Sequence, residues 1–228
     1  MAVILHIETA EEICSVCVAE NGIIISLEED STMYSHASSL TILIENAIKN
    51  AGLKSLNDLD AVAVSMGPGS YTGLRIGTSA AKGICYALNK PMIAVPTLLS
   101  MAESFKAENN IKKDDLIVPC IDARRMEVYY SVFTSQLMEI ELTKAEVINE
   151  TTFSNLCNFS IEVNFIGSGA EKISTVYRCP NFKYFPKHYP IAKGMVNTAF
   201  QKFKNQAFED SAHFEPFYLK DFVSTSKT

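Results

Sequence analysis

The chain is predicted to be an α/β protein of two similar lobes, and three features of its sequence carry that prediction. Val/Ile-rich strand runs and helical periodicities follow one another in the order strand, strand, strand, helix, strand, helix, and that order occurs twice. The two halves share no evident sequence similarity, so the repeat is one of architecture, with lobes over residues 1–107 and 108–228 and a cleft between them. Third, four glycines and a proline crowd the junction of a buried strand and a helix, Ser65-Met66-Gly67-Pro68-Gly69-Ser70-Tyr71-Thr72-Gly73-Leu74-Arg75-Ile76-Gly77. Such a segment is a tightly specified turn rather than a floppy linker.

Residues 3–8, 13–19 and 23–28 read as three short strands, with Asn21-Gly22 as the hairpin signal between the last two. Leu40, Leu43, Ile44, Ala47, Ile48 and Ala51 recur at helical spacing until Gly52, which predicts an amphipathic helix over 36–51. A buried strand at 61–65, the glycine turn, a helix over 72–88 and a strand at 92–95 complete the first series. The second follows a helix at 98–106 and a polar stretch at 108–115. It has strands at 116–121, 127–134 and 137–143, a short helix near 151–157, a strand at 163–166 and a helix from about 170. Pro180, Pro186 and Pro190 then break the pattern before a helix at about 191–207, and the tail from Val223 is polar and expected to fray.

Composition narrows the function classes. With 47% hydrophobic and 20% charged residues the chain is an ordinary globular sequence, and its N-terminus has no basic leader and no apolar run of membrane-spanning length, so a cytoplasmic location without a membrane is expected. The formal charge is −6, which argues against a broad electrostatic footprint for nucleic acid. Cys14 and Cys17 form a lone C-x-x-C, but positions three apart in a strand point to opposite faces. Buried free cysteines in a reducing compartment account for them better than a metal or redox pair.

The glycine segment has neither G-x-x-x-x-G-K-[ST] nor G-x-G-x-x-G, so a packing turn and an anion cradle both stand. The four histidines, His6, His36, His188 and His213, contain no pair at helical ligand spacing, and no serine has His and Asp partners at recognisable positions. Neither a metal site nor a catalytic residue is assigned.

The duplicated three-strand lobe resembles the actin, sugar kinase and Hsp70 superfamily, in which ATP sits between the lobes. Ile7-Glu8-Thr9-Ala10, the segment Gly67 to Gly77, Asp122-Ala123-Arg124-Arg125-Met126-Glu127-Val128-Tyr129 and Pro216-Phe217-Tyr218-Leu219-Lys220 together resemble the TsaB family, also called YeaZ. That resemblance implies a non-catalytic relative of TsaD in the bacterial machinery that makes threonylcarbamoyladenosine (t6A) in tRNA. TsaD carries two histidines at i and i+4 where this chain has Thr97 and Met101, and active superfamily members place Asp where it has Glu8. The resemblance therefore implies that ATP and metal belong to TsaD, with no cofactor for this chain; Glu8, Gly167 and Gly169 remain weak nucleotide-site candidates.

The same resemblance implies a partner face on the helices at 36–51 and 72–88, with Leu40, Leu43, Ile44, Ala47, Arg75, Ile76, Ser79, Ala80 and Gly83 as its candidate residues. The implied partners are TsaD, TsaE through the TsaB–TsaD complex, and a second copy in isolation, with tRNA met only indirectly. The rival reading is an ATP- or metal-dependent enzyme, a phosphotransferase or glycoprotease-like peptidase, using the inter-lobe cleft.

Overall fold

The computed structural model describes residues 1–32, 36–157 and 160–220. Strands β1 (Val3–Glu8), β2 (Cys14–Glu20), β3 (Ile23–Asp30), β4 (Ala61–Ser65) and β5 (Met92–Val95) form one sheet in the order β3-β2-β1-β4-β5. Strands β6 (Leu116–Asp122), β7 (Glu127–Thr134), β8 (Glu139–Val147), β9 (Val163–Ile166) and β10 (Phe182–Phe185) form the other, in the order β10-β9-β6-β7-β8. Each sheet is an antiparallel three-strand meander extended by two parallel strands, so the architectural repeat is real and one strand longer than the sequence suggested. The missed strand, β10, is four residues between Pro180 and Pro186, too short for a period to show.

The helices are α1 (His36–Asn50), α2 (Tyr71–Leu88), α3 (Thr97–Glu108), α4 (Ala170–Val176) and α5 (Val196–Lys204). The segment predicted as a helix near 151–157 holds only a 3-10 turn at Ser154–Leu156, and the helix predicted from 191 starts as a 3-10 turn at Ala192–Met195. The polar tail from Val223 lies outside the described residues.

Two helices pack on the sheet of the opposite half. Leu98, Met101, Ala102 and Phe105 of α3 bury themselves against Ile117, Ile121, Phe133 and Ile166 of the second sheet. Val196 and Ala199 of α5, with Ala192 and Met195, bury themselves against Ile4, Ala63, Ile93 and Val95 of the first. The two crossing segments also meet, since a Cβ added at Gly194 would lie 2.4 Å from the Ser100 carbonyl oxygen. A division at 107/108 follows the order of elements along the chain, whereas the packing is exchanged across it.

The reading of Cys14 and Cys17 holds: Cys14 packs in the cluster under α1, and Cys17 in the cluster under α5, on opposite faces of β2. Both are buried and free.

Candidate functional site

The β1–β2 turn, the end of β6 and the β9–α4 turn meet between the two sheets, joined by hydrogen bonds among Glu11, Asp122 and Ser168. Glu8, at the end of β1, is fully buried; its Oε1 accepts a hydrogen bond from the Ala10 backbone N–H at 2.7 Å, while its Oε2 is buried without a partner. Burial pushes the Glu8 carboxyl up to about 7. Glu11 behaves similarly: burial pushes it up to about 8, its Oε1 accepts from the Ser168 hydroxyl, and its Oε2 has no partner. Ser168 Oγ in turn accepts from the Asp122 N–H at 2.9 Å. Glu11, Ser168 and Asp122 thereby latch the first lobe to the second through the cleft.

The other candidates in the cleft are engaged by the chain itself. The Gly167 N–H donates to the Phe185 carbonyl at 3.0 Å and the Gly169 N–H to the Cys120 carbonyl at 2.9 Å, so neither amide is free for an anion. Gly167 has φ 97°, and a Cβ there would meet the Met101 Cε at 2.4 Å. These glycines form a packing turn, as their close neighbours require. Thr97 Oγ1 lies 2.6 Å from Ser65 Oγ and accepts from the Gly67 N–H at 3.1 Å; Met101 is fully buried in the core. Thr97 is thus a hydroxyl tied to the glycine turn and Met101 a thioether in an apolar cluster with Leu98, Phe105 and Ile166, a poor donor set for a metal ion. Among the described residues no group of three or more His, Cys, Asp or Glu is placed to hold one.

The buried carboxyls make a pH prediction. Their pKa values are higher folded than unfolded, so the folded chain binds more protons between about pH 4.5 and 8, and stability falls as pH rises through that window. Each contributes on the order of 3 kcal/mol. His6, lowered to about 4 by burial, acts in the opposite sense below 6.5 and is common to all variants. Glu11→Gln is expected to melt about 5 °C or more above the unsubstituted chain at pH 8.5 and to match it near pH 4.5. Parallel melting curves across that range would refute the assignment.

The glycine segment is spent inside the molecule. The first turn of α2 is capped by Ser70, whose Oγ accepts from the Gly73 N–H, and Thr9 donates its hydroxyl to the Gly73 carbonyl at 2.7 Å. A Cβ at Gly69 would lie 2.5 Å from the Ala10 carbonyl oxygen, one at Gly73 2.0 Å from the Thr9 carbonyl oxygen, and one at Gly77 2.3 Å from Thr9 Oγ1. The glycines let α2 lie directly on the β1–β2 turn, the packing alternative rather than the anion cradle.

On the helical face the structure separates the nine candidates. Leu40, Leu43, Ile44 and Ala47 are buried in the chain's own core with Leu5, Val16 and Val64. The most apolar stripe of α1 is the one its own sheet demands. Ile76 and Ala80 are half-buried against the same cluster. Arg75, Ser79 and Gly83 are exposed along the outer side of α2. Ile42, 58% exposed, and Tyr86, 90% exposed, are large apolar side chains of α1 and α2 that sequence reasoning did not single out, lying off the main apolar stripe. Arg75 stacks over the Tyr71 ring, 4.1 Å from its centroid, and its Nε donates to the Tyr218 hydroxyl at 3.4 Å. Gly83 differs from the other glycines of α2, since a Cβ there would meet nothing within 4 Å.

A protein-family model described as TsaD, tRNA N6-adenosine threonylcarbamoyltransferase, matches residues 30–222. The tRNA threonylcarbamoyladenosine biosynthesis protein TsaB of Escherichia coli is 29% identical over 229 residues, covering 98% of this chain and 97% of its own. The structure of YeaZ from Pseudomonas aeruginosa superposes with a TM-score of 0.83 at 22% identity, over 96% of this chain and 100% of that one. At the level of fold alone, the activator of the 2-hydroxyisocaproyl-CoA dehydratase from Clostridium difficile superposes with a TM-score of 0.50 at 11% identity, over 90% and 97% of the two chains. The two lobes thus share the fold of YeaZ, and the chain belongs to the TsaD family, within which its full-length likeness is to TsaB (YeaZ).

Proposed function

We propose that this chain is a non-catalytic subunit in the biosynthesis of tRNA threonylcarbamoyladenosine, binding a TsaD-type transferase through the outer side of α2 and the adjoining residues of α1. Gly83 carries the proposal. A glycine in a helix interior costs about 1 kcal/mol relative to alanine, and among the described residues no contact requires one at that position. A helix of a second chain approaching closely over Ser79 and Gly83, with Arg75, Tyr86 and Ile42 as its flanking contacts, would use it. The names of the full-length relatives place them in the same biosynthesis.

On this reading ATP and metal are held by TsaD, TsaE docks on the pair, tRNA reaches this chain only through its partner, and the same face self-associates when the partner is absent. Reconstitution with TsaC, TsaD and TsaE tests it: leaving this chain out should abolish modification of tRNA, and undiminished modification would end the proposal. A second reading rests on Glu8 and Glu11, because paired carboxyls with raised pKa values in a cleft are also what acid–base catalysis uses. Calorimetry of the isolated chain with Mg-ATP discriminates, since tight binding with turnover would favour an enzyme.

A further inference from the structure

The cysteines divide into two chemical classes in the folded chain. Cys14, Cys17, Cys85 and Cys120 are buried free thiols. Burial pushes Cys14 and Cys17 up to about 12 and Cys85 up to about 11, and raises Cys120 well above its ordinary value, so none of these four offers a thiolate at neutral pH. Cys157 and Cys179 are half-buried at the margin of the second lobe's core, and they are bonded to each other with Cα atoms 5.4 Å apart.

Their bond joins the residue after the 3-10 turn Ser154–Leu156 to the link between α4 and β10. Asn181 makes a parallel, non-covalent tie: its Nδ2 donates to the Leu156 carbonyl at 2.9 Å and the Ile161 carbonyl at 3.1 Å. Its Oδ1 is buried without a partner. β10 pairs with β9 alone, so it is an edge strand of four residues that depends on what pins its ends.

We propose that Cys157 and Cys179 form a reversible thiol–disulfide site that takes a low-molecular-weight disulfide as oxidant, and that the bonded state pins β10 to its sheet. One cysteine thiolate attacks the disulfide RSSR, forms a mixed disulfide and expels RS⁻. The second thiolate then attacks the protein sulfur of that mixed disulfide, forms the Cys157–Cys179 bond and expels the other RS⁻. The protein gives up two electrons and two protons, and the oxidant leaves as two RSH. Nothing in this depends on the role assigned to α2.

The test uses the full chain equilibrated in buffers of reduced and oxidised glutathione, quenched in acid, unfolded and alkylated with N-ethylmaleimide. Intact mass should show six labels at the reducing end and four at the oxidising end, with peptide mapping placing the bond at 157–179. Backbone amides of 182–185 should exchange about tenfold more slowly in the oxidised chain. The double variant Cys157→Ser/Cys179→Ser should take four labels in every buffer and lose the redox dependence of exchange. Six labels throughout, four labels throughout, a glutathione adduct left on either cysteine, a bond mapped to another pair, or equal exchange in the two states would each overturn the proposal.

Discussion

Gly73→Ala is expected to destabilise the chain by about 3 kcal/mol or more, whereas Gly83→Ala, ten residues further along the same helix, should stabilise it by about 0.5–1 kcal/mol. The two glycines have the same intrinsic helix propensity, so the opposite signs come entirely from their surroundings. At Gly73 a methyl group would lie 2.0 Å from the Thr9 carbonyl oxygen. That oxygen is backbone just past the end of β1, so it cannot move aside as a side chain would. Relief would require α2 to lift from the β1–β2 turn, breaking the hydrogen bond from the Thr9 hydroxyl to the Gly73 carbonyl. At Gly83 the methyl meets only solvent and removes conformational freedom from the unfolded chain. Urea unfolding of the two variants beside the unsubstituted chain measures both effects. Midpoints that move in the same direction would show that the glycine segment has been misread.

The second large effect concerns binding. Gly83→Arg should leave the melting temperature unchanged or slightly raised, because arginine is a good helix former in open space, yet weaken association with a TsaD-type partner by 100-fold or more, about 3 kcal/mol. A long charged side chain at the closest point of approach between two helices must be desolvated or must hold them apart. Leu43→Asp serves as the contrast. Leu43 is 8% exposed and packs in the core under α1, so an aspartate there should unfold the first lobe and abolish binding indirectly. Calorimetric titration of each variant with the partner, paired with a thermal melt, separates the two mechanisms. Full affinity in Gly83→Arg would remove the outer side of α2 from consideration.

Much of the fold was legible because strand and helix periods survive in the sequence. β1, β4, α1 and α2 fall within a residue of their predicted limits, since each presents a continuous or periodic apolar pattern ended by Gly, Asn or a polar turn. β8 was placed two residues early at its start and four at its end: it is an edge strand with an irregular register opposite β7, so its polar and apolar residues do not alternate cleanly. β10 was missed because four residues between prolines carry no period. For the candidate site the difficulty was of another kind. Periodicity identifies a buried stripe but not what buries it, and Leu40, Leu43, Ile44 and Ala47 are buried by their own sheet. The proposed partner contacts rest on weaker signals, a single isoleucine off the stripe and a glycine with no described neighbour within reach of a Cβ.

The sequence by itself determined the class of fold, the architectural repeat and the resemblance to TsaB, because each of these rests on residue types at local spacings. Only the tertiary structure decided what the glycines between Gly67 and Gly77 are for, that α3 and α5 pack across the two halves, and that Glu11 is tied to Ser168 of the second half. Those outcomes depend on which backbone atoms approach within a few ångströms across long separations in sequence. Distances of that kind are set by the packing of whole elements and are written in no local pattern.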